Sequence, residues 1–375
     1  MTKVLTQSGA IFYDAYRELN ARKMFWISLG ISLLVVACFA LIGINEKGIS
    51  IAGFTITAIP INTGLMSQSF FYKWMFVGIG VNLWLGWAST ILALVSTASI
   101  IPDFVSSGAI ENMLARPISR VRLFLTKYLA SLLFVFLQAT VFTAASILVI
   151  GARSGEWLWG LMLGVPLVTL FFSYIYCVSA LVGVWTRSTL AALLAALALW
   201  GVILIVGIAE AATLQWRVGH NTKIVTFQKD VEATQLQITK ETQAGADADR
   251  LQTLRTQLDR KQADLIERQT SLQSAEFWHN MMYAGKTILP KTAETKELLL
   301  RAIATDAELE KLLDDPDDQP GRQNRGFLSP ADRRTMREVQ KIIDNRSVWW
   351  VLGTSAIFQL IILAWASRIF AKRDF

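Results

Sequence analysis

Six apolar stretches constrain this chain more than anything else in it: Met24–Ile44, Met75–Ile101, Val121–Ile150, Trp157–Val184, Thr189–Ile208 and Val348–Ile369. Each holds about 20 residues or more, the length a helix needs to cross the hydrocarbon core of a bilayer. Lipid offers no hydrogen bonds to the backbone, so such a run must satisfy its own peptide groups as an α-helix. The expected fold class is therefore an all-α polytopic membrane protein with six transmembrane helices. Composition agrees, because 53% hydrophobic against 17% charged residues is too apolar for a soluble globule. Thirteen Trp and twenty Phe supply material for interfacial aromatic belts. Cys38 and Cys177 both fall inside spans, which argues against a disulfide framework or a thiolate metal site. The first run is span-length and no small-residue cleavage pattern follows it, so it is expected to stay as an anchor.

Charge sets the orientation. Residues 213–346 carry 21 Lys+Arg and 21 Asp+Glu, so the net +7 of the 375-residue chain resides entirely outside that segment. A basic excess confined to the flanks of apolar spans reads as membrane orientation and not as nucleic-acid binding. Arg22 and Lys23, Arg116 to Lys127, Arg187, and Arg368 to Arg373 all lie on one side if six spans are threaded in order. By the positive-inside rule that side is cytoplasmic and both termini lie there.

The chain divides accordingly into residues 1–23, 24–212, 213–346 and 347–375. In the first piece Leu5, Ile11, Phe12, Tyr16 and Leu19 recur at helical spacing opposite Asp14, Arg17 and Glu18. That pattern predicts an amphipathic helix lying in the headgroup plane. Residues 45–72 connect the first two spans, and their alternation in ISIAGFTITAIPIN fits either short strands or a re-entrant segment. In 213–346, Ile224, Phe227, Val231 and Ile238, then Leu251, Leu254, Leu258, Leu265 and Leu272, repeat at three-, four- and seven-residue intervals. This predicts an extracytoplasmic helical coiled coil. Gln243 to Asp247 marks the tip of an antiparallel hairpin; a single helix through Gly245 is the alternative. A further helix over 331–345 leads into the sixth span.

The polar segment between the second and third spans, Ser106 to Lys127, is unusual for a mere connection. Ile110, Met113 and Leu114 lie on one side of a short helical pattern, with Glu111, Asn112 and Arg116 on others. Such a helix, with an apolar side to bury and charges at its rim, suits docking into a partner's groove.

Enzymatic signatures are weak. Gly285-Lys286-Thr287 resembles the tail of a phosphate-binding loop, but Asn280 stands where the first glycine belongs and no strand precedes it. No catalytic residue and no resident cofactor or metal is therefore expected. His279 with Met281 and Met282 could form a soft-metal set, yet a membrane-resting surface is the more ordinary explanation for this spacing. Asp314, Asp315, Asp317 and Asp318 lack the spacing of a calcium loop.

The run Gly108-Ala-Ile-Glu111-Asn-Met-Leu114-Ala-Arg116-Pro117-Ile-Ser-Arg120, followed by Phe124-Leu-Thr-Lys127, resembles the permease subunits of type-2 ABC exporters. The ending Phe370-Ala-Lys-Arg-Asp374-Phe is similar to theirs as well. The resemblance covers 1–212 and 347–375 in layout and is sequence-specific only near 106–127. It implies a coupling helix over about 105–116, with Ser107, Gly108, Ile110, Glu111, Met113, Leu114, Arg116 and Pro117 docking onto a separate cytosolic ATPase. Tyr16, Arg17 and Glu18 would make a secondary ATPase contact. It also implies that ATP and Mg are used by that partner, that a second permease copy or paralogue completes the pathway, and that the protein sits in a bacterial inner membrane. The 213–346 insertion departs from the family pattern and would cap the pathway or grip an extracytoplasmic partner. A membrane-anchored scaffold or sensor using the outer coiled coil is the alternative reading.

Overall fold

The computed structural model describes residues 17, 23–56, 63, 67–106, 119–244, 247–304 and 330–373. Six helices are long and apolar enough to cross a membrane: Lys23–Leu41, Gln68–Val105, Arg120–Ser154, Trp159–Thr186, Thr189–Gln243 and Val348–Lys372. This is a multi-pass, predominantly helical membrane protein. The chain separates into two compact units. The first comprises residues 1–203, 289–318 and 347–375, and the second residues 204–288 and 319–346.

In the first unit, α1 (Lys23–Leu41) leads into three short strands, β1 (Ile42–Asn45), β2 (Gly48–Ile51) and β3 (Phe54–Ile56). They form an antiparallel meander in which Ile42 pairs with Ile51 and Ile49 with Ile56. The sequence left this stretch undecided; Ala52 and Gly53, both at positive φ (51° and 89°), close the second hairpin with the two-residue turn that matches strand twist. The first span accordingly ends at Leu41, three residues earlier than its hydropathy suggests.

The second span begins early, at α2 (Gln68–Met75), whose Ser67 Oγ accepts from the Phe70 backbone N–H at 3.2 Å. It continues as a 14-residue π-helix, Phe76–Ser89, and then as α3 (Thr90–Thr97) and α4 (Ile100–Ser106). Helix runs on past Ile101, where hydropathy ends the second span, and Pro102 does not stop it. It occupies the first turn of α4, where its missing N–H costs no helical bond.

The third span, α5 (Arg120–Ser154), is capped by Ser119 and stopped by Gly155 at φ 74°. A short 3₁₀ turn (Trp159–Leu163) precedes α6 (Gly164–Thr186). The last span is α11 (Val348–Lys372). Large buried aromatics fill the core of this unit: Phe142 lies between Phe39 and Phe76 at 6.1 and 5.8 Å, and Tyr176 between Tyr128 and Phe172 at 5.5 and 5.6 Å. Polar side chains cross-link the spans inside this core. Gln138 of α5 donates to Ser28 and Ser32 of α1, and Trp84 Nε1 also donates to Ser32 at 2.9 Å.

The fifth helix, α7 (Thr189–Gln243), runs 55 residues without a break, well past the apolar stretch that ends near Ile208. No proline interrupts it, and its polar half is rich in residues that tolerate a helix. α8 (Ala248–Ile288) then returns antiparallel. The contacts give the register: Glu241 with Arg250, Thr234 with Lys261 (2.9 Å), Phe227 under Arg268 (4.1 Å to the ring centroid) and Glu210 with Lys286 (2.8 Å). α7 ends at Gln243 and α8 starts at Ala248, and the Glu241–Arg250 contact pairs the end of one with the start of the other. α10 (Pro330–Asp344) completes the second unit.

One element departs from the four-part division of the sequence. α9 (Thr292–Ile303), inside the 213–346 segment, belongs with the spans and not with the hairpin. It packs against α6, the π-helix, the 3₁₀ turn and α11. Leu299 approaches Gly164 and Ile303 approaches Gly160, in each case 3.2 Å from where a Cβ would stand.

Candidate functional site

Most residues expected to dock a partner lie outside the described residues: Ser107, Gly108, Ile110, Glu111, Met113, Leu114, Arg116, Pro117, Tyr16 and Glu18. Arg17 is described, as a helical and exposed residue. What the structure does define is the frame on either side of 107–118, the end of α4 and the start of α5.

That frame is built by arginines that cap their neighbours. The last carbonyls of a helix have no partner within the helix and attract cations. Arg120, at the first position of α5, donates to the carbonyls of Ala371 (3.1 Å) and Arg373 (2.7 Å) at the end of α11. Arg373 in turn donates to the carbonyls of Val184 and Trp185 in the last turn of α6. Three helix ends are thereby linked in series, α5 to α11 to α6.

Aromatic packing adds the fourth. Phe370 of α11 stacks on Phe104 of α4 at 6.3 Å and on Phe124 of α5 at 5.7 Å. Buried Lys127 places its ammonium 5.3 Å from the Phe104 ring centroid, a cation–π distance. Gly183 lets α6 approach α4 closely, since a Cβ there would meet the Pro102 ring at 3.1 Å. The two helices that bracket 107–118 thus share one side chain, Phe370. Arg120 and Lys127 were singled out in the sequence, whereas Phe370 and Arg373 were read only as part of the basic tail that resembles the family's ending, and Phe104, just past the second span, was not singled out. The cap relationship has no signature short of the fold.

At the opposite end of the same bundle α9 brings polar side chains among the spans. Lys291 donates to Thr354 Oγ1 and lies 4.9 Å from the Trp350 ring, and its backbone N–H donates to Ser355 Oγ at 2.9 Å. Lys296, 8% exposed, sits 5.0 Å from the Phe171 ring centroid and against Gly86 of the π-helix. Burial pushes its ammonium down to about 8. Nothing in the sequence drew attention to either lysine, since KTAETKELLLRAI reads as surface helix.

In the second unit a buried ion triad holds the base of the hairpin. Glu210 of α7 accepts from Lys286 of α8 at 2.8 Å and from Arg346, and all three side chains are largely buried. Lys286 belongs to the tripeptide that mimics a phosphate loop, which here is uninterrupted α8. His279 is buried while Met281 is exposed, and at helical spacing the two side chains leave α8 roughly 200° apart. They do not converge on a metal. Among the described residues no group of three or more His, Cys, Asp or Glu could hold one. A cleft of about 490 Å³ lies in this unit, with Trp216, His220, Lys223, Phe227 and Thr335 among its lining residues.

Comparison with known families, curated proteins and solved structures gives no match.

Proposed function

We propose that this chain is the membrane permease subunit of a type-2 ABC exporter, coupling ATP hydrolysis by a separate cytosolic ATPase to export or to mechanical work on an extracytoplasmic partner. The observation that carries the proposal is the position of the 107–118 segment in the sequence. It joins α4 to α5, and both of those helices contact Phe370 of α11. Glu111, Met113 and Leu114 would engage the ATPase groove, with Arg17 of an N-terminal interfacial helix beside it. Movement there would tilt α4 and α5, and the Arg120–Arg373 chain would carry it to α11 and α6. Packed helix ends with discrete arrangements are suited to convert a small push into a change of span packing. A second permease copy would complete the pathway, and the α7–α8 pair, read as a coiled coil, would project from the outer face.

The test is affinity purification of the full chain from its native host, followed by identification of co-purifying ATPase activity. Deletion of 108–114, or Glu111→Arg, is expected to abolish the association while the chain still inserts. A complex that survives the deletion, or no ATPase in any preparation, overturns the proposal in favour of a membrane-anchored scaffold.

A further inference from the structure

The cleft in the second unit has no part in the transport proposal. It holds about 490 Å³, within the roughly 300–1,000 Å³ of small-molecule sites. Its lining runs along α7 from Ala212 to Phe227, about 22 Å of helix, and takes Thr335 from α10. Trp216, His220, Lys223 and Phe227 follow one another at intervals of four, three and four residues, the spacing that keeps side chains on one helical face. Gly219 lies between Trp216 and Lys223 in that lining. A Cβ there would stand 3.7 Å from the Thr335 Cγ2, so the missing side chain leaves room between α7 and α10.

The lining is aromatic at both ends and cationic between them. The Trp216 and His220 rings meet edge to face with centroids 6.0 Å apart, and Trp216 stays 42% exposed. At the other end the Arg268 guanidinium lies 4.1 Å from the Phe227 ring centroid, and its buried Nε has no hydrogen-bond partner among the described residues. Lys223 is the one charged residue in the lining among those described, and it makes no ion pair or hydrogen bond with them. The Thr222 and Thr226 hydroxyls donate to the Val218 and Thr222 carbonyls at 2.9 and 3.0 Å, so neither has a proton left for a ligand. The donors that remain are the Lys223 ammonium, the Gln215 amide and the His220 imidazole. One cation with two neutral donors suits a single acid group, not the several phosphates of a nucleotide.

We infer that this cleft binds a small organic acid with a flat aromatic body, its carboxylate paired with Lys223 and its rings against Trp216 over Gly219. Seven residues, about 10 Å of helix, separate Trp216 from Lys223, an interval that two fused rings and a carboxylate span. A flat body is favoured over an alkyl chain because an exposed indole offers a further aromatic ring an offset or edge-on contact beyond simple burial. The inference does not depend on transport, so a scaffold would carry the site equally well.

The experiment is isothermal titration calorimetry of the purified full chain in detergent, with 2-naphthoate, 2-naphthylmethanol and acetate as separate titrants, each corrected for titration into detergent alone. 2-Naphthoate is expected to saturate one site per chain, and the uncharged alcohol and the ringless acetate to bind about tenfold more weakly or less. Lys223→Gln should weaken 2-naphthoate about tenfold, the loss of one charge-assisted hydrogen bond, and leave the alcohol unchanged. Gly219→Leu, which fills the space beneath the rings, should abolish binding of the acid. Lys229→Gln, an exposed lysine of α7 outside the lining and the same change in net charge, should leave it unaltered. No saturable binding of 2-naphthoate, equal binding of the alcohol, or an equal loss in Lys229→Gln overturns the site. Equally strong binding of acetate overturns the aromatic assignment. Circular dichroism checks folding; if Gly219→Leu does not fold, Lys223→Gln decides, and unchanged binding in it overturns the proposal.

Discussion

Lys296 lies against Gly86: a Cβ at position 86 would stand 2.6 Å from its Nζ and 2.9 Å from the Val81 carbonyl oxygen. The absence of a side chain at 86 is what lets α9 seat a lysine against the π-helix. Gly86→Ala must displace both neighbours, and the carbonyl belongs to the helix itself. The expected cost is about 1–3 kcal/mol, as for other overpacked cores. Lys296→Ala in the same background should recover only part of it, because the Val81 carbonyl remains. Thermal unfolding of the two variants in detergent measures both effects.

The same lysine makes stability depend on alkaline pH. Burial disfavours its charged form, so the folded chain releases the proton near 8 while the unfolded chain holds it to about 10.5. Below 8 both states are protonated and the folded state bears the full cost of a buried charge. Between 8 and 10.5 the unfolded state binds more protons, so stability rises with pH, by on the order of 3 kcal/mol in all. Unfolding midpoints measured across this window should climb for the wild type. In Lys296→Met the climb should be largely gone, and an unchanged slope would show that another group is responsible.

The helix-end chain predicts non-additive losses. Arg120→Ala removes the donor to the Ala371 and Arg373 carbonyls, and Arg373→Ala removes the donor to Val184 and Trp185. Each should cost about 1–2 kcal/mol, the range for a cation at a partly buried helix C-terminus. Arg120 positions the residue whose side chain makes the next cap, so the double variant should lose less than the sum. Additive losses would mean that the two caps act independently and carry no displacement between them.

What could be read beforehand follows from which physical signal each element has. The six spans were legible because hydrophobic length alone specifies them, whereas the apolar repeats on either side of Gly245 fitted a hairpin or one continuous helix. The seam register, Glu241 with Arg250 down to Glu210 with Lys286, needed the fold. α9 was missed because Lys291, Glu294 and Lys296 look like surface residues; their burial depends on cavities left by Gly86, Gly160 and Gly164. The π-helix over Phe76–Ser89 was equally hidden, since its apolar run gives no periodic contrast. Arg120 stood out as part of a basic cluster, but not as a cap. The docking residues themselves, Ser107 to Pro117, were read from a short helical pattern and from the family resemblance.

The Glu210 triad predicts an asymmetry between breaking a buried charge group and replacing it. Glu210→Gln removes the carboxylate to which both Lys286 and Arg346 donate inside a buried group, which should cost about 3–5 kcal/mol. Replacing all three with apolar residues of similar volume removes the charges together, and should be near neutral or stabilising for the same reason. The triad also gives acid sensitivity. Burial alone would raise the Glu210 carboxyl, but hydrogen bonds and charge from Lys286 and Arg346 outweigh it and hold the group below the ordinary carboxylate range. Its contribution is therefore present above the unfolded value near 4.5 and is lost as pH falls through the lower, folded one. Acid unfolding monitored by circular dichroism should be steeper in the wild type than in the fully apolar variant. Equal acid profiles, or a Glu210→Gln chain as stable as wild type, would refute the assignment of this triad as the clamp at the base of α7 and α8.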